Sequence, residues 1–331
     1  MRAVQATTPN GAFTVTDVPT PVPGPGQVRV RVHACGVCGG DTIARAGLLG
    51  VRLPRIPGHE IAGVVDAVGD GVSAWNPGDR VGVGWHGGHC FTCDACRAGD
   101  FVNCVDRRIV GVHSDGGYAE YTVVPQHVLA RVPDALTLEQ AAPLMCAGIT
   151  TFNALRHGGA RPGDTVAIQG IGGLGHLGIQ YAHRMGFRTV AVNRGTAKER
   201  IARELGAHEY VDSTRGSVGE ALARLGGAVF VLSTVGDSRA QGDLVQGLAP
   251  NGRLVVVASE HTPIPVGPDP LVFGRRSVGG WYSGHAKDSE DAMDFAALTG
   301  VRPIVQTYPL EAAETVYQSM GKARFRSVLT L

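Results

Sequence analysis

Residues 165–185 read TVAIQGIGGLGHLGIQYAHRM, an apolar run, a glycine cluster and a helical stretch in that order. Thr165–Gln169 is short and β-branched, and Arg161-Pro-Gly-Asp164 bounds it upstream, as expected of a buried strand. Gly170-Ile171-Gly172-Gly173-Leu174-Gly175 follows as G-x-G-x-x-G, and helix formers run on from Leu174 to Met185. In this strand–turn–helix setting the motif is a phosphate cradle. The first glycine permits the tight turn and the second lets backbone approach a pyrophosphate. The third lets helix and strand pack closely, with the phosphates at the helix N-terminus. Gly170, Gly172, Gly173, Leu174 and Gly175 are therefore the expected cofactor-binding residues of this loop.

Downstream, strand-like Thr189–Val192, Glu209–Val211, Val229–Ser233 and Arg253–Ala258 alternate with helical stretches such as Ala197–Leu205. That alternation predicts an α/β domain with a doubly wound parallel sheet. Upstream of residue 137 the character differs. Val28, Val30 and Val32 alternate with Arg29, Arg31 and His33, and Ile61–Val68, Arg80–Gly84 and Tyr118–Val124 are similarly short and β-branched. Such strands predict a β-rich barrel or sandwich with long loops. Leu138–Ala147 reads as helix, as do Ser289–Leu298 and Leu310–Met320, before a last strand at Ser327–Leu331.

The chain has 331 residues, enough for two domains. Its 30 Lys and Arg balance 29 Asp and Glu, a net charge of +1, which removes the broad basic field of a general nucleic-acid binder. No apolar run approaches the ~20 residues needed to span a bilayer, and MRAVQATTPNGAF lacks the apolar core of a secretion signal. The expectation is a cytoplasmic protein with neither nucleic-acid nor membrane partners. The 48 glycines and 19 prolines are interleaved with β-branched residues, which suits a turn-rich fold.

Seven cysteines, an odd number in such a chain, argue against a disulfide framework. Cys90, Cys93, Cys96 and Cys104 occur in GHCFTCDACRAGDFVNC as C-x2-C-x2-C-x7-C. Four thiolates so spaced can close a tetrahedron around zinc with no open position, a structural site. A nucleic-acid zinc knuckle would need a basic flank, whereas Arg97, Arg107 and Arg108 are offset by Asp94, Asp100 and Asp106. Cys35 and Cys38 lie in HACGVCGGD, His59 in Pro57-Gly-His-Glu60, and Cys146 in APLMCAGIT. A catalytic zinc wants three protein ligands and one exchangeable position. Cys38, His59 and Cys146 supply two thiolates and an imidazole if the fold joins them. Spacing alone favours the plainer reading of His59 as a surface histidine.

The strand after the glycine loop ends in AVNRG, with Asn193 where an acidic residue would bond the ribose 2′-hydroxyl of NAD. Asn193 and Arg194, with Lys198 nearby, predict NADP in preference to NAD. An ordinary solvated Arg194 is the alternative.

Taken together, the nucleotide motif, the four-cysteine loop, GHE and CGVC resemble the zinc-dependent medium-chain alcohol dehydrogenases. The likeness runs from VRVRVHACGVC to the terminal GKARFRSVL. The resemblance implies a GroES-like β-rich catalytic domain, residues 1–145 with 285–331, interrupted by a Rossmann domain, residues 146–284. It implies two zinc ions per chain: a catalytic one on Cys38, His59 and Cys146, and a structural one on Cys90, Cys93, Cys96 and Cys104. By the same analogy Glu60 is an alternative ligand, Asp41 a carboxylate behind the ligands, Arg326 a pyrophosphate contact and Trp85 a wall of the substrate pocket. A homodimer or homotetramer acting on a small alcohol or aldehyde is expected.

The chain departs from that pattern where the family carries a proton-relay hydroxyl, two residues after the zinc cysteine. This position is Gly40, and the usual relay histidine is Ile43, with Thr42 the nearest hydroxyl in sequence. The leading expectation is nicotinamide-dependent alcohol oxidation or carbonyl reduction, with zinc acting as a Lewis acid. Gly40 motivates an alternative, reduction of an activated C=C or C=N bond, and predicts that Gly40→Ser would raise alcohol oxidation. A non-catalytic zinc- or nucleotide-binding protein is a more remote reading.

Overall fold

A computed structural model describes residues 1–322 and 325–331; Ala323 and Arg324, in the GKARFRSVL stretch, lie outside the described residues. The chain divides into two compact units, Met1–Ile149 with Ser283–Leu331, and Thr150–Tyr282. Cys146 thus belongs to the first unit. No helix among the described residues is long and apolar enough to cross a membrane.

The first unit is built on a seven-stranded sheet. Its path runs Val305–Pro309, Arg326–Thr330, Gln27–Gly36, Ile61–Val68, Arg80–Val83 and Leu129–Arg131, with Tyr121–Pro125 also paired to Gln27–Gly36. The expected alternation is borne out: Val28, Val30 and Val32 are buried in the core with Val65, Val81 and Val124, while the intervening Arg29, Arg31 and His33 are at least partly exposed. Sheet register then positions chemistry. Cys35 pairs with Ile61 in the antiparallel ladder, so Cys38 and His59, just past the paired ends, meet beyond it. Val328 pairs with Gly36 in the same antiparallel sense, which brings Arg326 level with Cys38.

The stretch Leu138–Ala147 is more interesting than a plain helix. Thr137 caps it, accepting from Gln140 N at 3.3 Å while Gln140 Oε1 accepts from Thr137 N at 3.2 Å. The α-helix Leu138–Pro143 then widens into a π turn, Leu144–Gly148, before Ile149–Arg156 resumes as α-helix. Cys146 sits inside that turn. Nothing in residue periodicity announces a π turn, though such turns are frequent at functional sites.

The second unit carries a six-stranded sheet, all parallel, with its strands in the order third, second, first, fourth, fifth, sixth. The first strand is Thr165–Gln169 and the second Arg188–Asn193. This is the doubly wound Rossmann arrangement expected from the sequence. The inner strands Thr165–Gln169, Arg188–Asn193 and Ala228–Ser233 are buried through their middles, and Val190, Val192, Val231 and Leu254 share a core with helix residues Val218, Leu222 and Leu244.

Candidate functional site

Cys38, His59, Glu60 and Cys146 each offer a ligand atom within 4.8 Å of all the others. Cys38 Sγ lies 3.9 Å from Cys146 Sγ, too far for a disulfide. A tetrahedron with metal–sulfur bonds of about 2.3 Å has edges of about 3.8 Å, which matches. His59 is buried; its Nδ1 is 2.9 Å from Asp41 Oδ1, and its Nε2 is buried without a hydrogen-bond partner. A buried imidazole nitrogen left unbonded costs free energy unless something binds it. Two thiols facing that nitrogen make a donor set that could hold a zinc ion. The Cys146 hydrogen bond and the nearby His59 hold the Cys38 thiol well below its ordinary range despite burial. The same pairing, with burial, pushes Cys146 up.

Asp41 is itself fixed. Cys38 N donates to its Oδ2 at 2.9 Å and Tyr118 Oη donates to the same oxygen at 2.8 Å. Tyr118 is fully buried, and burial raises its pKa well above the usual phenol range, so it stays a donor. Sequence reading missed Tyr118; its place in the GGYAEY stretch offered only a strand signal. Glu60 is buried against Arg326, whose Nη2 donates to both carboxylate oxygens and to the Val37 carbonyl at 3.3 Å. Burial pushes the Glu60 carboxyl up to about 8, with Arg326 pulling against it. Arg326 Nε is buried without a partner, so the guanidinium that the resemblance assigns to a pyrophosphate is anchored first to Glu60.

Trp85 lies edge-to-face on His59, ring centroids 4.7 Å apart at 83°. A Cβ at residue 40 would fall 2.8 Å from His59 Cε1 and 2.9 Å from Trp85 Cζ3, so a serine there requires one of these rings to shift. Thr42 offers no substitute in this arrangement, its Oγ1 lying 2.8 Å from Tyr317 Oη on an exposed helix face.

Cys90, Cys93, Cys96 and Cys104 form the second group within 4.8 Å. Cys90 Sγ is 4.0 Å from Cys96 Sγ and 3.6 Å from Cys104 Sγ, again the edge lengths of a zinc tetrahedron. Backbone amides of Cys93 and Asp106 donate to Cys90 Sγ and Cys104 Sγ at 3.4 and 3.3 Å, the support a thiolate needs. Around this loop His89 stacks on Phe101, centroids 4.2 Å apart, and burial lowers its pKa to about 4, keeping the stack uncharged.

In the second unit, Gly170 (φ +88°) makes the turn after the first strand. A Cβ at Gly175 would run into the Gly170 carbonyl oxygen, whereas one at Gly172 would meet nothing within 4 Å. Open space over the middle glycine is what a pyrophosphate needs. Gly173 and Leu174, both half-buried, lead into the helix Gly175–Arg184. Lys198 Nζ donates to the Ile171 carbonyl, tying the loop to the start of the helix Glu199–Glu204, and burial lowers its pKa. Gly175→Ala is expected to weaken nicotinamide-nucleotide affinity at least about tenfold, since either the turn or the helix must shift. Fluorescence titration with the nucleotide measures it; unchanged affinity would contradict the cradle.

Asn193 Nδ2 donates to the Arg194 carbonyl at 3.3 Å, and Arg194 is exposed. An acidic side chain does stand beside this position, a residue the sequence reading missed: Asp212, paired with Asn193 in the parallel ladder. Its Oδ1 is already engaged by Gly195 N at 2.7 Å and by Thr214 N and Oγ1 at 2.9 and 2.8 Å, with Arg215 3.4 Å from Oδ2. The Thr214 bonds hold that carboxyl below its ordinary value.

Comparison with known proteins accords with these two units. Residues 24–134 match the alcohol dehydrogenase GroES-like domain, and residues 173–298 match the zinc-binding dehydrogenase family. The chain is 46% identical over 320 residues to the alcohol dehydrogenase notN of Aspergillus sp. (strain MF297-2), covering 96% of this chain and 94% of that protein. It is 35% identical to NADP-dependent alcohol dehydrogenase C 1 of Mycolicibacterium smegmatis (strain ATCC 700084), over 98% and 96% of the two chains. Among solved structures, an NAD-dependent alcohol dehydrogenase aligns over 100% of both chains, with a TM-score of 0.91 and 31% identity.

Proposed function

The chain belongs to the zinc-dependent medium-chain alcohol dehydrogenase family, and we propose how its residues divide the work of that chemistry. It is an alcohol dehydrogenase, exchanging hydride between a nicotinamide cofactor and an alcohol or the corresponding carbonyl. Reduction of C=C or C=N bonds, the alternative that Gly40 motivates, is not favoured by the relatives.

The observation that carries our assignment of the site is the buried, unpartnered Nε2 of His59 facing the Cys38 and Cys146 thiols. In our reading these three hold the catalytic zinc, and Cys90, Cys93, Cys96 and Cys104 hold a structural one. Bound there, the metal supplies Lewis acidity to the alcohol oxygen and the nicotinamide supplies the hydride acceptor. Asp41 holds the His59 tautomer with Nε2 free, Tyr118 holds Asp41, and Arg326 keeps Glu60 paired within reach of the ligand cluster. Gly170–Gly175 receives the dinucleotide phosphates. The test is aldehyde-dependent consumption of NADPH or NADH by the zinc-replete protein. Loss of nicotinamide absorbance is expected, and none across a panel of aldehydes would overturn the reading.

For the cofactor we propose NADP over NAD. Asn193 presents no carboxylate to repel a 2′-phosphate, Asp212 is occupied within its own loop, and Arg194 is exposed beside the strand end. A charge-assisted Arg–phosphate contact contributes about 1–3 kcal/mol, or roughly 5–150-fold in affinity. Arg194→Ala is therefore expected to lower the kcat/KM ratio of NADPH to NADH within that range. An unchanged ratio would remove Arg194 from the site. The substrate is a small alcohol or aldehyde. A cytoplasmic homodimer or homotetramer is the assembly we propose on family likeness, and sedimentation reads its size.

A further inference from the structure

The strand Arg188–Asn193 runs into a turn, residues 193–196, that carries Arg194. The ladder to the edge strand Glu209–Asp212 ends at the Asn193–Asp212 pair, so the turn beyond it has no ladder to lean on. Side chains of the edge strand take over at that point. The Gly195 N–H donates to Asp212 Oδ1 at 2.7 Å, and the Gly195 carbonyl accepts from Tyr210 Oη at 2.6 Å. Gly195 has φ +65°, a left-handed conformation that glycine reaches freely, so its own backbone does little to fix the turn. Both clamping groups are themselves held. Asp212 Oδ1 also accepts from Thr214 N and Oγ1 at 2.9 and 2.8 Å, and Arg215 Nε lies 3.4 Å from Oδ2. Burial raises the Tyr210 phenol above its ordinary range, so at neutral pH it remains a donor.

We propose that Tyr210 and Asp212 are positioning residues for cofactor discrimination: they clamp Gly195, and so fix the turn that presents Arg194 to a nucleotide 2′-phosphate, without touching the nucleotide themselves. An arginine reads a phosphate through paired N–H···O bonds, a geometry that a loose turn would forfeit while keeping the charge. The clamp gives that turn the support a recognition group needs from the residues behind it. Asp212 directs Oδ1 at the loop and at Gly195, which is why an acidic residue next to Asn193 is compatible with a phosphate there. This inference rests on the proposed role of Arg194, and the experiment below separates the two.

The experiment titrates the zinc-loaded full chain with NADPH and with NADH, followed by nucleotide fluorescence, alongside steady-state kinetics. Tyr210→Phe keeps the ring and removes only the hydroxyl that holds the Gly195 carbonyl. It is expected to weaken NADPH about fivefold, the value of one hydrogen bond, while NADH stays within about twofold and kcat is unchanged. Asp212→Ala is expected to weaken NADPH by about tenfold, and Asp212→Asn, which keeps an oxygen for Gly195 N, to recover most of that loss. If Asp212→Ala fails to fold, Tyr210→Phe carries the test alone. In an Arg194→Ala background, Tyr210→Phe is expected to leave the ratio of the two affinities unchanged, because the clamp then has nothing to aim. Equal losses for both nucleotides would reduce the clamp to a structural role and overturn the proposal. So would full additivity with Arg194→Ala, or an Asp212→Ala protein that loses NADH and keeps NADPH, which would make Asp212 a direct reader of the ribose hydroxyl. An affinity ratio unmoved by Arg194→Ala itself would defeat the reading of Arg194, while selective loss of NADPH in Tyr210→Phe still decided whether the turn discriminates. Binding needs no turnover, so an inactive wild type would count against the activity and leave this test standing.

Discussion

His59→Ala is expected to lower kcat/KM for alcohol oxidation by at least about 10³-fold while nucleotide affinity stays within about threefold of wild type. The size follows from what the residue does. His59 presents a buried Nε2 to two thiols only 3.9 Å apart, and no other buried imidazole among the described residues faces that cluster. Removing it takes away the one imidazole of the cluster, and a Lewis acid worth several kcal/mol would be lost or misplaced. Nucleotide affinity should survive because the phosphate loop Gly170–Gly175 and Lys198 belong to the other unit. Steady-state kinetics and nucleotide titration separate the two effects. A variant that lost cofactor affinity but kept turnover would show that His59 had been assigned to the wrong task.

Cys96→Ser should act in the opposite way, costing stability first. Cys96 is buried in a loop with little else to fix it: a four-residue helix, Asp94–Arg97, one 3₁₀ turn at Phe101–Asn103, and the His89–Phe101 stack. Structural zinc in small peptides supplies about 10–16 kcal/mol of apparent binding energy at neutral pH. Forfeiting even about 2–3 kcal/mol of that would lower the midpoint by roughly 3–4 °C in a chain of this size. The variant is expected to hold one zinc instead of two. Full thermal stability with two zinc ions retained would contradict the structural assignment.

How much of this was legible in sequence depended on how local each signal was. The phosphate loop was readable because strand, turn and helix are contiguous and each glycine has a stereochemical task. The four-cysteine loop was readable because its donors fall within one short segment. The catalytic cluster was not readable from spacing alone, since Cys38 and Cys146 lie 108 residues apart. The Cys35–Ile61 register brings Cys38 to His59, Cys146 comes from the π turn at Leu144–Gly148, and neither leaves a mark in residue periodicity. Resemblance to a family supplied that set instead. The same resemblance marked Gly40 as a missing hydroxyl, while the rings that surround the position, His59 and Trp85, lie further along the chain and leave no local signal of their approach. Asp212 and Tyr118 escaped notice for the same cause: each acts through a partner on another strand or loop.

The most direct measurement of the central claim is alcohol-dependent reduction of the nicotinamide cofactor, followed as zinc is stripped by a chelator and then returned. Activity is expected to fall in step with loss of the zinc held by Cys38, His59 and Cys146, and to recover when that ion is restored, provided the four-cysteine site stays filled. Turnover that persisted with the catalytic zinc removed, or a zinc-replete protein that oxidised no alcohol, would contradict it.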